Sequence, residues 1–205
     1  IIFALIFIGK PLFADTKIEA GEVSGVWTGE GSPYIVQGTI KVEENKTLII
    51  KPGIEVRFAR KAKLSVNEGG SLIAEGTKDA MIVFSSNEAN PSPGDWGMYE
   101  EGGIDSFGGS KVILKYCLVE YATNGIVCRA YAIGCDASDN YSEITSCIIR
   151  NNSYSGIYCR GTGSRLGCIP GKLGLCEPKI QFNLISGNGS AGIDCYSSRG
   201  FSSSG

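Results

Sequence analysis

The chain has 205 residues, a formal net charge of -2, charged residues at 20% and 29 glycines. That length suits one domain, and the near balance of charge gives no reason to expect nucleic acid or an anionic membrane as partner. There is no histidine, which removes histidine acid/base chemistry, serine and cysteine triads and most zinc sites.

In chain order, Ile1 to Ile8 is an unbroken apolar run, stopped by Lys10 and Pro11, with Ala14 ahead of a polar stretch. A membrane span needs about 20 apolar residues. Residues 1–14 are therefore predicted to be a secretory signal without its basic start, with a truncated membrane anchor or a buried strand as alternatives. No membrane insertion is expected of the mature chain. Residues 15–38 are predicted to form an N-terminal cap and entry segment.

From residue 39 the sequence repeats. "IKVEENKTLIIKPG" from Ile40 returns as "LSVNEGGSLIAEGT" from Leu64, so that Ile40 maps on Leu64, Val42 on Val66 and Leu48 on Leu72. A third copy is predicted to start at Trp96 with Ile104 eight residues on, displaced by a loop over 87–95. In "IEVRF", Ile54, Val56 and Phe58 alternate with Glu55 and Arg57, the pattern of a strand with one buried face. The second half repeats in other words: "YCLVEYATNGIVC", "SCIIRNNSYSGIYC" and "FNLISGNGSAGIDC". They place Cys117, Cys147 and Asn183 in one column, Val119, Ile149 and Ile185 in a second, Gly125, Gly156 and Gly192 in a third, and Ile126, Ile157 and Ile193 in a fourth. Inserted loops are predicted at 130–141 and 161–177. Units this short cannot bury a face alone, but stacked they can, like residue above like. The glycine before each isoleucine implies a bend that needs positive φ or has no room for a side chain.

The repeat I-x-x-C-x-I-x-x-N-x-x-x-x-G-I-x-C in "ITSCIIRNNSYSGIYC" resembles that of right-handed parallel β-helix proteins of the pectin-lyase-like superfamily. "SPYIVQGTIKVEENKTLIIKPGIEVRF" and "GSLIAEGTKDAMIVFSS" followed by "PGDWG" resemble the N-terminal coils of secreted or cell-surface members. The resemblance covers Val26 onward and implies an all-β, right-handed parallel β-helix over 39–205. The uncapped ending "DCYSSRGFSSSG" is expected to be a truncation, with further coils or a cap beyond it.

All eight cysteines lie between Cys117 and Cys195. Those in the columns are predicted to be scaffold, filling the coil interior. For the rest, Cys168–Cys176 and Cys128–Cys135 are the disulfides expected in a secreted chain. No metal site is expected from the cysteines, because there is neither a C-x-x-C pair nor a histidine.

For function the resemblance leaves enzymes, adhesins and structural modules open. Lyases of this superfamily use Ca²⁺ held by clustered carboxylates, with Arg or Lys as base, which needs no histidine. Its hydrolases use a Gly-His-Gly element that this composition forbids. The outward columns give Glu120, Arg150 and Ser186; Val127, Tyr158 and Asp194; and Arg129, Arg160 and Tyr196. "NPSPGDWG" adds Trp96 and Tyr99, either as an exposed aromatic loop or with Trp96 starting a strand over apolar surface. The residues expected to face a glycan are thus Trp96, Tyr99, Glu120, Arg129, Arg150, Tyr158, Arg160 and Asp194. Glu120 over Arg150 also has the simpler reading of a surface ion pair. The leading expectation is a monomeric, secreted or cell-surface module that binds a polysaccharide or a surface partner or serves as structure, without catalysis or cofactor. The alternative is a Ca²⁺-dependent polysaccharide lyase, or related enzyme on uronate-containing substrates, with its site outside this stretch.

Overall fold

Ile54, Val56 and Phe58 project from one face of a short strand, and no single strand can hide them from water. The chain hides them by coiling. The computed structural model describes residues 15–98, 101–133, 136–163 and 174–198; the segment predicted to be a signal lies outside them. Coil one contains β1 (Thr16–Ile18), β2 (Gly21–Glu22) and β3 (Gly25–Trp27), and a 3-10 turn at Gly29–Gly31 leads out of it. Coil two has β4 (Tyr34–Val36), β5 (Thr39–Val42) and β6 (Thr47–Ile50), and coil three β7 (Glu55–Phe58), β8 (Lys63–Val66) and β9 (Ser71–Glu75). Coil four has β10 (Ile82–Ser86), β11 (Ile104–Ser106) and β12 (Lys111–Lys115). Coil five has β13 (Cys117–Glu120), β14 (Ile126–Ile133), β15 (Asp136–Ser138) and β16 (Glu143–Thr145). Coil six has β17 (Ile148–Arg150), β18 (Ile157–Thr162) and β19 (Lys179–Gln181), and coil seven β20 (Leu184–Ser186) and β21 (Ile193–Ser198).

Each strand pairs in parallel with its counterpart in the next coil, which generates three sheets. Sheet 1 runs β1-β4-β7-β10-β13-β17-β20, sheet 2 runs β2-β5-β8-β11-β14-β18-β21, and sheet 3 runs β3-β6-β9-β12-β16-β19. Parallel strands joined by such crossovers wind right-handed, and the whole is a right-handed parallel β-helix, as expected. No helix among the described residues is long and apolar enough to cross a membrane.

The predicted columns are ladders. Ile40 pairs with Leu64 and Val42 with Val66, and Leu48 pairs with Leu72. Val119 pairs with Ile149, Ile149 with Ile185, Ile126 with Ile157, and Ile157 with Ile193. Ile54, Val56 and Phe58 are all buried. The ladder begins at Thr16, inside the segment expected to be a cap.

The third copy is corrected. Ile104, not Trp96, pairs with Leu64, and Val112 pairs with Leu72. Trp96 belongs to the inserted loop, where it makes one isolated bridge with Ala122. Its indole drops into the coil interior and stacks on Phe58 with centroids 4.1 Å apart. The 130–141 insertion is likewise less of a loop than expected, since β14 continues to Ile133 and β15 returns antiparallel beside it.

Two of the three repeated glycines, Gly125 and Gly156, are there for room. A Cβ on Gly125 would lie 2.6 Å from Gly156 O, and one on Gly156 2.8 Å from Gly192 O. The left-handed corners fall elsewhere, at Tyr116, Ser146 and Phe182 before sheet 1 and at Tyr121, Asn151 and Gly187 after it. An asparagine ladder supports the corner after sheet 1. Asn152 Oδ1 accepts from Ala122 N at 2.9 Å, and Asn188 Oδ1 accepts from Asn152 Nδ2 at 2.9 Å. Cys117 and Cys147 stack inside, with Cys117 N donating to Cys147 Sγ at 3.4 Å. Burial pushes the Cys117 thiol well above the ordinary range.

Candidate functional site: the outer face of sheet 2

Because side chains alternate along a strand, every second residue of sheet 2 points away from the coil interior. Register stacks Lys41, Ser65, Asp105, Val127, Tyr158 and Asp194 in one outward column. Two residues on, Arg129, Arg160 and Tyr196 form another. This face is not flat. Residues 95–98 and 101–102 lie across it, Met98 and Gly102 forming an antiparallel bridge. Gly102 lies so close to Val127 that a Cβ would collide with Val127 Cγ2. Val127 points outward as predicted, but it is buried beneath this crossing.

Below the crossing sits a charged cluster. Asp105 is fully buried, and its Oδ1 accepts from Arg129 Nε at 2.7 Å. Its Oδ2 has no hydrogen-bond partner among the described residues, with Lys63 Nζ 3.6 Å away. Lys63 is itself buried and donates to Glu101 Oε2. The Arg129 guanidinium also lies over the Phe107 ring, 5.8 Å from its centroid. Burial pushes the Asp105 carboxyl up, against the pull of Arg129 and Lys63. The hydrogen bond from Lys63 holds Glu101 below its usual value.

This cluster makes stability depend on pH. The folded state holds the Asp105 proton more tightly than the unfolded chain. Its contribution to stability is therefore complete below the unfolded carboxylate value, about 3.9, and is lost as pH rises through the folded value. Urea midpoints of the wild type and Asp105→Asn, followed from about pH 3 to about pH 7, should show the wild-type-minus-variant difference falling as pH rises. A difference independent of pH would contradict the assignment. Glu101 works the opposite way, losing its contribution as pH falls, and is common to both proteins.

Above the crossing the face opens into a hollow of about 360 Å³ lined by Asn124, Tyr154, Tyr158, Arg160, Asp194 and Tyr196, together with Ser155 and Ser190. Three phenol rings, one guanidinium and one carboxylate thus surround a solvent-open space. Burial pushes the Tyr158 hydroxyl above its usual value.

Of the residues expected to face a ligand, Tyr158, Arg160 and Asp194 meet in this hollow, while Arg129 stands one coil below with its guanidinium on Asp105. Glu120 and Arg150 lie on sheet 1, a different face. Glu120 Oε2 accepts from Arg150 Nε at 2.9 Å and its Oε1 from Ser85 Oγ at 3.2 Å, the ion-pair reading of that column. Trp96 is fully buried, which corrects its placement as a ligand-facing residue. Tyr99 lies outside the described residues, as do Cys135 and Cys168, one partner in each expected disulfide. Sequence reasoning missed Asp105, Lys63 and Tyr154. Asp105 had a signal: "GIDS" at Gly103 to Ser106 is a fourth copy of Gly-Ile-x-Cys with Ser106 opposite Cys128.

The calcium that the lyase resemblance implies does not fit these donors. No three His, Cys, Asp or Glu side chains among the described residues converge to hold a cation. The buried carboxylates among the described residues are already committed, Asp105 to Arg129, Glu120 to Arg150 and Ser85, and Asp95 to Ser86 and Ser92.

In comparison with known proteins, a family model described as a pectate-lyase like beta helix domain matches residues 22–141, more than half of the chain. No curated protein and no solved structure matches.

Proposed function

We propose that this chain, which belongs to the pectate-lyase-like beta helix family, is a secreted or cell-surface module that binds a glycan on the outer face of sheet 2. The single observation that supports this reading is the hollow in which Tyr154, Tyr158 and Tyr196 surround Arg160 and Asp194. A tyrosine ring offers a broad apolar face for the C–H side of a sugar and a polar tip for its hydroxyls. Arg160 supplies donors and Asp194 acceptors, the pairing a polyhydroxylated ligand needs. The hollow is open to solvent, as suits a segment of polymer. Export is supported by the apolar segment at residues 1–8.

The test is retention on an array of plant, algal and bacterial polysaccharides, followed by titration calorimetry on whichever glycan is retained. Tyr158→Ala should weaken binding at least ~10-fold, the effect of losing one aromatic anchor of about 1.4 kcal/mol, while the melting temperature stays close to wild type. Absence of retention on every glycan, or binding by Tyr158→Ala equal to wild type, would remove this reading.

A further inference from the structure

Four of the cysteines lie near one another where β14, β18 and β21 run side by side. Cys128, Cys159 and Cys195 are consecutive rungs of one ladder. Cys176 reaches them from outside it, on the segment that re-enters the fold through a bridge with Asn140. Its Sγ donates to Cys128 O at 3.2 Å, and Cys159 is the rung next to Cys128. Cys159, Cys176 and Cys195 line one cavity of about 370 Å³, with Gly161, Gly163 and Gly174 forming part of its wall. Cys176 is half-buried and Cys195 exposed, so a small thiol reagent has access.

In-register neighbours on a parallel ladder project their Cβ atoms side by side, a poor arrangement for a disulfide. Cys176 is not on the ladder. It approaches the rungs from the side and shares a cavity with Cys159, so joining these two does not require a bond between in-register rungs.

We propose that Cys159 and Cys176 are a disulfide-forming pair, which fastens the returning segment to β18. The oxidant is a low-molecular-weight disulfide of the glutathione type. The Cys176 thiolate attacks it, forming a mixed disulfide and releasing one thiol. The Cys159 sulfur then attacks the Cys176 sulfur, the Cys159–Cys176 bond forms, and the second thiol leaves. Two protein thiols give up two protons and two electrons, and one small disulfide is reduced to two thiols. Both thiols are held above the ordinary range, Cys159 by its contact with Cys128 and by burial and Cys176 by its contact with Cys159 and by burial, so both steps are slow and the incubation must be long. Cys159 sits between Tyr158 and Arg160 on β18, and the crosslink therefore immobilises the strand that carries the hollow.

The positions of Arg and Lys make the test direct. Trypsin puts Cys159 on peptide 151–160, Cys168 on 166–172 and Cys176 on 173–179. The full chain, reduced, desalted and incubated with oxidised glutathione, is alkylated, digested and analysed by mass spectrometry. The expected product joins 151–160 to 173–179. It persists in Cys168→Ser and disappears in Cys176→Ser. A crosslink of 173–179 to 166–172, to the peptide bearing Cys195 or to any other peptide would overturn the pairing. So would alkylation of both Cys159 and Cys176 after full incubation.

Discussion

Trp96→Ala should destabilise the protein by about 3–5 kcal/mol, the usual cost of emptying a buried aromatic site. Three separate losses point the same way. The indole is fully buried and stacks on Phe58 at an interplanar angle of 6°. Its Nε1 donates to Glu120 O at 2.8 Å, so truncation also strands a buried carbonyl. Finally, Trp96 is the apolar anchor of the segment crossing sheet 2. Gly103 packs against the indole so closely that a Cβ would meet Cζ3 at 2.5 Å. Denaturant unfolding measures the first two. Limited proteolysis around residues 95–102 reports the third and should speed up in the variant. A change below about 1 kcal/mol would mean that the indole is not seated in the core.

The second large effect is expected for Arg129→Ala. Removing one member of a buried ion pair leaves the other charged and uncompensated, at about 3–5 kcal/mol. Asp105 has no exposed surface, and Lys63 at 3.6 Å, already shared with Glu101, is an incomplete substitute. The stranded carboxyl has an escape, which is to take up a proton. The loss should therefore be full near neutral pH and shrink in acid, because the folded value of Asp105 rises further once the guanidinium is gone. The double variant Asp105→Leu/Arg129→Met, which leaves no charge behind, should recover much of the deficit. Urea midpoints of the single and double variants at two pH values decide the matter. A double variant as unstable as Arg129→Ala would show that the cost is lost packing, including the contact with Phe107, rather than stranded charge.

How far the sequence carried depended on whether a feature was written along the chain or across it. The columns through Val119, Ile149 and Ile185 were legible because a stacked coil repeats its interior residues, and repetition survives insertions. Trp96 was misplaced because it lies eight residues before Ile104, the spacing seen in the earlier copies. Only the ladder from Leu64 to Ile104 reveals the true register. The hollow was half legible. Tyr158, Arg160 and Asp194 occupy outward positions that follow from the ladder. Tyr154 comes from a corner, and nothing local to it predicts where it projects. Asp105 was hidden for a different reason. At an outward position an aspartate reads as solvated, and its burial is imposed by the crossing segment just before it and by Arg129 of the next coil. The left-handed corners were opaque because tyrosine, serine and phenylalanine occupy them where glycine would be expected.

The corner from sheet 3 to sheet 1 is only one or two residues long in the later coils, between β12 and β13, β16 and β17, and β19 and β20. Among the described strands, the longest intervals adjoin sheet 2: between β10 and β11, between β14 and β16, and between β18 and β19. For anyone wishing to splice foreign sequence into this solenoid, the three edges are therefore not equivalent. An epitope or binding loop inserted beside sheet 2 enters where the chain already tolerates extra length. The same insert at Tyr116, Ser146 or Phe182 would have to be threaded through a joint with no slack, where every added residue would be taken out of the alignment of the coils on either side.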